Sequence, residues 1–267
     1  MKKILCAFLL FAMVLPFALT GCDAQPALPT EPSEGLEFTL REDGQSYTLT
    51  GVTDFTDEYL IIPDEYEGKP VTAIASKGFI KIVKGGGYTF TISHIKGIFI
   101  PATIEEIELE TNIISACSDL TRIEVEEGNA RYHSENNCLI ETATKTLVAG
   151  CKSSKIPTDG SVTVIGPRAF FSCHGLEAIK IPKSITRIEG AAFYMCSNLK
   201  TVQMSKSVTY IGNTAFARCE SLEKLDLPDV PLYICDWDVK TTPEFPEGRL
   251  RMAPWKWKAR LLILASI

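Results

Sequence analysis

From Val162 onward the chain copies itself. VTVIGPRAFFSCHGLEAIKIPKS begins at Val162, ITRIEGAAFYMCSNLKTVQMSKS at Ile185 and VTYIGNTAFARCESLEKLDLPD at Val208, a step of 23 residues each time. Phe170, Phe193 and Phe216 keep that step, as do Cys173, Cys196 and Cys219, and Leu176, Leu199 and Leu222. A fixed period of this length marks a solenoid, in which one coil cannot bury its apolar face without its neighbours. The repeat constrains architecture and the kind of surface presented. It does not name a ligand.

Within each coil, the segment after the cysteine ends in period two. Leu176-x-x-Ile179-x-Ile181 turns Ile179 and Ile181 inward and Ala178 and Lys180 outward. Equivalent strands should pair in parallel as one sheet along the concave side, with Val162, Ile165 and Phe170 closing the coil from the opposite side. The pattern continues upstream in degraded form. Ile104, Ile107, Cys117, Leu120, Ile123 and Val125 form one coil, Ile95, Ile98, Ile100 and Pro101 part of another, and Val71, Ile74 and Phe79 match Val162, Ile165 and Phe170. Two stretches interrupt it: one contains Gly85-Gly86-Gly87, and the other, GNARYHSENNCLIETATKTLVAGCKSSKIP, carries two short strands around a turn. Ahead of the coils, Leu36, Phe38 and Leu40 alternate with polar residues, Tyr47 and Leu49 do so less cleanly, and Glu42-Asp43-Gly44 supplies a turn. That is a hairpin signature, placed to cap an open solenoid end.

The N-terminus is read as a targeting segment. Lys2 and Lys3 precede an apolar run from Ile4 to Leu19, which closes on Leu19-Thr20-Gly21-Cys22. This resembles the lipobox of bacterial lipoproteins, and the resemblance implies acylation of Cys22 and anchoring to a bacterial membrane or cell surface. Asp23 to Gly35 has three prolines and no aromatic residue, a tether of about 40 Å reach.

Seven cysteines remain after Cys6 and Cys22. Those in equivalent slots of stacked coils have parallel Cβ vectors about 4.7–4.9 Å apart, whereas a disulfide needs converging Cβ atoms about 3.5–4.5 Å apart. They should be small buried thiols. Cys138 and Cys151, flanking the hairpin of the second interruption, are the one pair considered for a bridge.

Formal net charge is −6, and it falls to −8 when Lys2 and Lys3 leave. An acidic chain lacks the electrostatic term that dominates nucleic-acid affinity, so DNA and RNA are not expected partners. No catalytic motif stands out, and neither an enzymatic role nor a cofactor is expected. Gly85-Gly86-Gly87 lacks the following Lys-Ser/Thr of a phosphate cradle. His94, His133 and His174 lie in different repeat contexts, and neither they nor Glu124-Val125-Glu126-Glu127 reads as a metal site.

At I/V-T-x-I-x-x-x-A-F-x-x-C-x-x-L-x-x-I-x-I-P-x-S, with Gly68 to Ile74 and the GNARYHSENNCLI interruption, the chain resembles the BspA-like leucine-rich-repeat family of bacterial surface proteins. The resemblance covers roughly Leu36 to Leu227. It implies a leucine-rich-repeat solenoid, a β-rich right-handed superhelix with a parallel concave sheet, and a role in adhesion or protein binding. Residues 1–21 are then the leader, 22–35 the tether and 36–61 the capping hairpin. Residues 62–234 form the solenoid, with insertions near 80–94 and 128–155, and 235–267 a C-terminal cap or divergent tail.

The outward face of the sheet is the candidate binding surface: Phe99, Arg122, Glu124, Lys180, Thr201, Gln203, Lys224 and Asp226. Phe99 beside Arg122 matches the composition of interface hot spots. Tyr132 and His133 in the second interruption either pack that insertion or join a binding rim, and packing is the expected role. The expected partner is a protein or other macromolecule. The alternatives are an envelope-assembly scaffold without a host ligand and a glycan-binding surface protein.

Overall fold

The computed structural model describes residues 29, 31–75, 80–82, 88–90, 92–108, 114, 117–227 and 233–234. Cys22, the leader, Phe79, Gly85-Gly86-Gly87 and the 235–267 tail lie outside the described residues.

Each regular coil contributes two short strands to two different ladders. The three-residue strands after the cysteine, Ala178–Lys180, Thr201–Gln203 and Lys224–Asp226, pair in parallel with a 23-residue offset. They are called the front sheet here. The two-residue strands Val164–Ile165, Arg187–Ile188, Tyr210–Ile211 and Tyr233–Ile234 pair in parallel at the back. The alternation assigned from sequence holds: Ile179 and Val202 are buried, while Ala178, Lys180 and Gln203 are exposed.

The expected parallel sheet is present in two parts. The second front sheet comprises Tyr59–Ile61, Gly97–Ile100 and Arg122–Val125, again parallel. At the back, Tyr132–Glu135, Cys138–Glu141 and Thr146–Gly150 form an antiparallel meander whose last strand pairs in parallel with Val164–Ile165. Leu36–Leu40 and Tyr47–Val52 form an antiparallel hairpin, and Tyr47–Val52 pairs in parallel with Lys69–Ile74, which pairs with Glu106–Ile107. Inside the first interruption, Ile80–Ile82 and Tyr88–Phe90 make a small antiparallel hairpin that the sequence pattern does not announce.

Between the two ladders, the A-F-x-x-C segment solves its backbone bonding without being a strand. Arg168, Phe170 and Ser172 N–H donate forward to Gly190, Ala192 and Tyr194 carbonyls, and Ala191, Phe193 and Met195 donate onward to Asn213, Ala215 and Ala217. The intervening amides bond within the coil, as Ala169 does to Gly166 and Phe171 to Arg168. Alternate peptide units must flip for this, and Arg168, Ser172, Ala191, Met195, Thr214 and Arg218 take φ of 52–61°. In this way the buried amides of the segment find partners.

The core follows the same register. Phe170, Phe193 and Phe216 form a column with successive centroids 5.0 Å apart and ring planes within 6°. Beside it, Phe170 O accepts both Cys173 N–H at 3.1 Å and Cys196 Sγ at 3.0 Å. Cys219 Sγ repeats the contact on Phe193 O at 3.1 Å. A thiol is small enough for the slot and supplies a weak donor to the carbonyl's second lone pair.

Candidate functional site

On the N-terminal front sheet, Phe99 pairs across with Glu124 and with Ile61, and Gly97 with Arg122 and Tyr59. Ile98, Ile100 and Ile123 point into the core, which leaves Phe99 outward and half-buried. Ile61 shares its face but is only 5% exposed. Ser33 lies against that strand: its N–H donates to Ile61 O at 3.0 Å, its hydroxyl to Tyr59 O at 3.0 Å, and it accepts Ile61 N–H at 2.9 Å. The tether's last residues therefore border the apolar pair Ile61 and Phe99.

Arg122 and Glu124 spend their charges on each other. Arg122 Nε donates to Glu124 Oε1 at 2.6 Å and Nη2 pairs with the same oxygen. The Arg122 side chain is 15% exposed, so this pair offers a partner shape and hydrogen-bond capacity more than net charge. On the second front sheet, Lys180 and Gln203 are exposed and Thr201 half-buried. Lys224 and Asp226 occupy the next strand in register with Thr201 and Gln203, and their side chains lie outside the described residues. The eight candidates thus fall three on one sheet and five on the other.

Within the second interruption Tyr132 is turned inward. Tyr132 is 4% exposed, with the Arg131 guanidinium 5.4 Å from its ring. Asn129 saturates its amide locally: Nδ2 donates to Pro101 O at 3.1 Å and Ile104 O at 2.9 Å, while Oδ1 accepts Arg131 and Tyr132 N–H. These contacts fasten the interruption to the preceding coil and leave Tyr132 little to offer a ligand. His133 Nδ1 bonds Thr142 Oγ1 at 2.8 Å, and His174 Nδ1 bonds Ser197 Oγ at 2.9 Å. Among the described residues no group of three or more His, Cys, Asp or Glu is placed to hold a metal ion.

Two open grooves lie toward the N-terminal end. One of about 530 Å³ is lined by Pro32, Ser33, Asp57 and Tyr59 among others, and one of about 410 Å³ by Arg41, Asp43, Glu106 and Glu108 among others. The second is partly neutralised by the 3.3 Å Arg41–Glu106 ion pair.

Cys138 and Cys151, considered for a bridge from sequence, are both free and buried. Their sulfurs instead meet carbonyls, Cys138 that of Lys155 at 3.7 Å and Cys151 that of Asn137 at 3.9 Å. Burial pushes the Cys138 and Cys173 thiols up to about 12 and raises Cys117, Cys151 and Cys196 as well. Native protein should therefore alkylate slowly at neutral pH, and unfolded protein rapidly, because the thiolate is the nucleophile. An unfolded thiol ionises near 8.5. The native state then holds more protons above that pH, and stability should fall as pH rises from about 8.5 toward 12. A linked Cys173–Cys196 peptide in a non-reduced digest would contradict this arrangement.

Residues 141–237 match a family model described as "BspA type Leucine rich repeat region (6 copies)". No curated protein matches the chain. Among solved structures, a leucine rich repeat protein of T. pallidum is similar at 20% identity and a TM-score of 0.42, over 74% of this chain and 83% of that one. A leucine-rich repeat protein of Eubacterium ventriosum is 19% identical with a TM-score of 0.44, over 71% and 69%. A leucine rich cell surface protein of Faecalibacterium prausnitzii is 18% identical with a TM-score of 0.42, over 78% and 84%. Residues 141–237 are accordingly similar to a BspA-type leucine-rich-repeat region, in a chain with a β-rich leucine-rich-repeat fold and parallel sheets.

Proposed function

We propose that this chain is a lipid-anchored bacterial surface protein that binds a macromolecular partner, most simply another protein, through its front sheets. The observation that carries the reading is the register of outward side chains on parallel strands. Phe99 with Arg122 and Glu124, and Lys180 with Thr201 and Gln203, stand on strands about 4.8 Å apart, and the strand Lys224–Asp226 pairs next in register. Such spacing suits a broad or extended ligand better than a small molecule. Phe99 supplies an apolar anchor bordered by a paired charge, the composition enriched at hot spots. The anchor reading rests on Lys2, Lys3 and Leu19-Thr20-Gly21-Cys22. Two acyl chains hold a protein on a membrane where one is marginal.

Both parts are testable in one set of strains. Cells fed labelled palmitate should label the wild-type chain, and Cys22→Ser should lose the label. Crosslinking on intact cells should capture a partner. A combined Phe99→Ala, Lys180→Ala, Lys224→Ala variant with an unchanged thermal transition should capture at least about tenfold less, roughly 1.4 kcal/mol. Full capture by that variant, with loss on changes around Tyr132, would move the site to the second interruption.

A further inference from the structure

The front strands skip one coil. Cys117 and Val125 are eight positions apart, and so are Cys173 and Ile181, Cys196 and Met204, and Cys219 and Leu227. Cys151 and Ile156 are only five apart. The shortfall equals one front strand, since Ala178–Lys180 and Thr201–Gln203 are three residues each. Accordingly the 152–157 segment contributes no strand to either front sheet. Ser154 N–H turns back to Cys151 O and Lys155 N–H leaves the front to bond Asn136 O, both at 3.1 Å. One front sheet therefore ends at Arg122–Val125 and the other begins at Ala178–Lys180. The turns just before them are in contact, because a Cβ on Gly175 would lie 2.9 Å from Ser118 O.

This leaves Ala178–Lys180 with a bare edge. Lys200 N–H donates to Glu177 O and Ile181 N–H to Gln203 O, both at 2.8 Å, which sets Ile179 as the residue bonded toward Thr201–Gln203. In a parallel ladder alternate residues bond opposite neighbours. The N–H and C=O groups of Ala178 and Lys180 thus face the skipped coil, and no described residue bonds them there. Lys180 on this strand, Lys183 three residues beyond it and Lys155 in the skipped coil are exposed and form no ion pair among the described residues. The carboxylates flanking it are already engaged, Glu124 by Arg122 and Glu177 by Lys200 at 3.1 Å. In a chain of net charge −6, the edge strand itself thus carries an exposed lysine, Lys180, with no carboxylate paired to it among the described residues.

We infer that this edge accepts, by strand addition, an extended acidic segment of a protein partner. The segment's backbone completes the ladder at Ala178 and Lys180, and its carboxylates meet Lys155, Lys180 and Lys183. Main-chain bonds to an open edge supply affinity in this mode, and charge complementarity supplies register and on-rate. The inference rests on the reading of the front sheets as the binding surface.

The test uses the full chain in detergent and a labelled peptide of alternating Glu and Val. The peptide should bind saturably, and Lys180 amide exchange should slow when it does. A Gln-Val peptide should bind about tenfold more weakly for want of charge, and a Glu-Val peptide N-methylated on alternate residues should not bind. Ala178→Pro removes a donor that has no partner among the described residues, so the thermal transition should hold while peptide affinity falls at least about tenfold. Equal binding of the N-methylated peptide to wild type overturns strand addition, whether or not Ala178→Pro folds. Equal binding of the Gln peptide overturns the acidic specificity, and no binding of the Glu-Val peptide overturns the whole inference. If the inference falls while partner capture on cells still depends on Phe99, the front-sheet reading stands. If capture is also indifferent to the front-sheet variant, both fall.

Discussion

Phe193→Ala should destabilise its coil by about 3–5 kcal/mol, the range for emptying a fully buried aromatic site. Phe193 has no exposed surface and stacks between Phe170 and Phe216 at 5.0 Å on either side. Neither neighbour can collapse into the void, because its backbone is fixed by bonds between coils, such as Phe170 N–H to Ala192 O at 2.7 Å and Phe193 N–H to Ala215 O at 2.7 Å. Phe216→Ala removes a single stacking contact among the described residues and should cost less. A repeat array need not unfold in one step, so amide exchange of individual coils should accompany the thermal scan. An unaltered transition in Phe193→Ala would mean that the column is not where the stability resides.

The second large effect is expected from one methyl group. A Cβ on Gly212 would lie 2.5 Å from Gly190 N, 2.7 Å from Glu189 C and 2.9 Å from Gly190 Cα. All three are backbone atoms of the preceding coil, and Gly212 N–H is bonded to Ile188 O at 2.7 Å, so relief requires the two coils to separate. Gly212→Ala should cost about 1–3 kcal/mol or more by overpacking. Gly190→Ala is the internal control. Its Cβ would meet nothing nearer than Asn213 O at 3.4 Å, and its effect should stay within about 0.5 kcal/mol. Comparable melting of the two variants would contradict the coil spacing.

The regular coils were legible because their chemistry is local and periodic. Phe170, Cys173, Leu176 and Ile179 each recur at the step, and each is buried. The parallel strands of both ladders then follow from stacking equivalents. Legibility failed where the period breaks. Tyr59–Ile61 belongs to a front sheet, although it reads as the end of the N-terminal hairpin region. Its signal was present in Leu60-Ile61-Ile62-Pro63, which closes on the same Ile-Pro as Ile181-Pro182. The contiguous front sheet expected from sequence is split because the coil after Cys151 is short, a deficit visible only when cysteine-to-Ile-Pro distances are compared between coils. For the candidate surface, sequence alternation gave direction but not charge state. It put Arg122 and Glu124 outward, and could not say that they bind each other. Tyr132 packs the interruption, as expected from sequence, and is held inward by the Asn129 turn.

The forward-pointing amides of the A-F-x-x-C segment give the stack a polarity. Peptide units 167–168, 169–170 and 171–172 aim their N–H groups at the following coil, and units 190–191, 192–193 and 194–195 do so in turn. Three columns of peptide dipoles therefore run along the coil axis, head to tail, as a helix aligns its own along one chain. The two ends of such a stack are electrically unlike. The C-terminal end gathers partial positive charge from amide donors, and the N-terminal end gathers partial negative charge from carbonyls. A coil grafted in reverse would meet donor with donor. Lengthening or shortening this solenoid by whole coils should preserve the columns, whereas joining two copies at like ends would not.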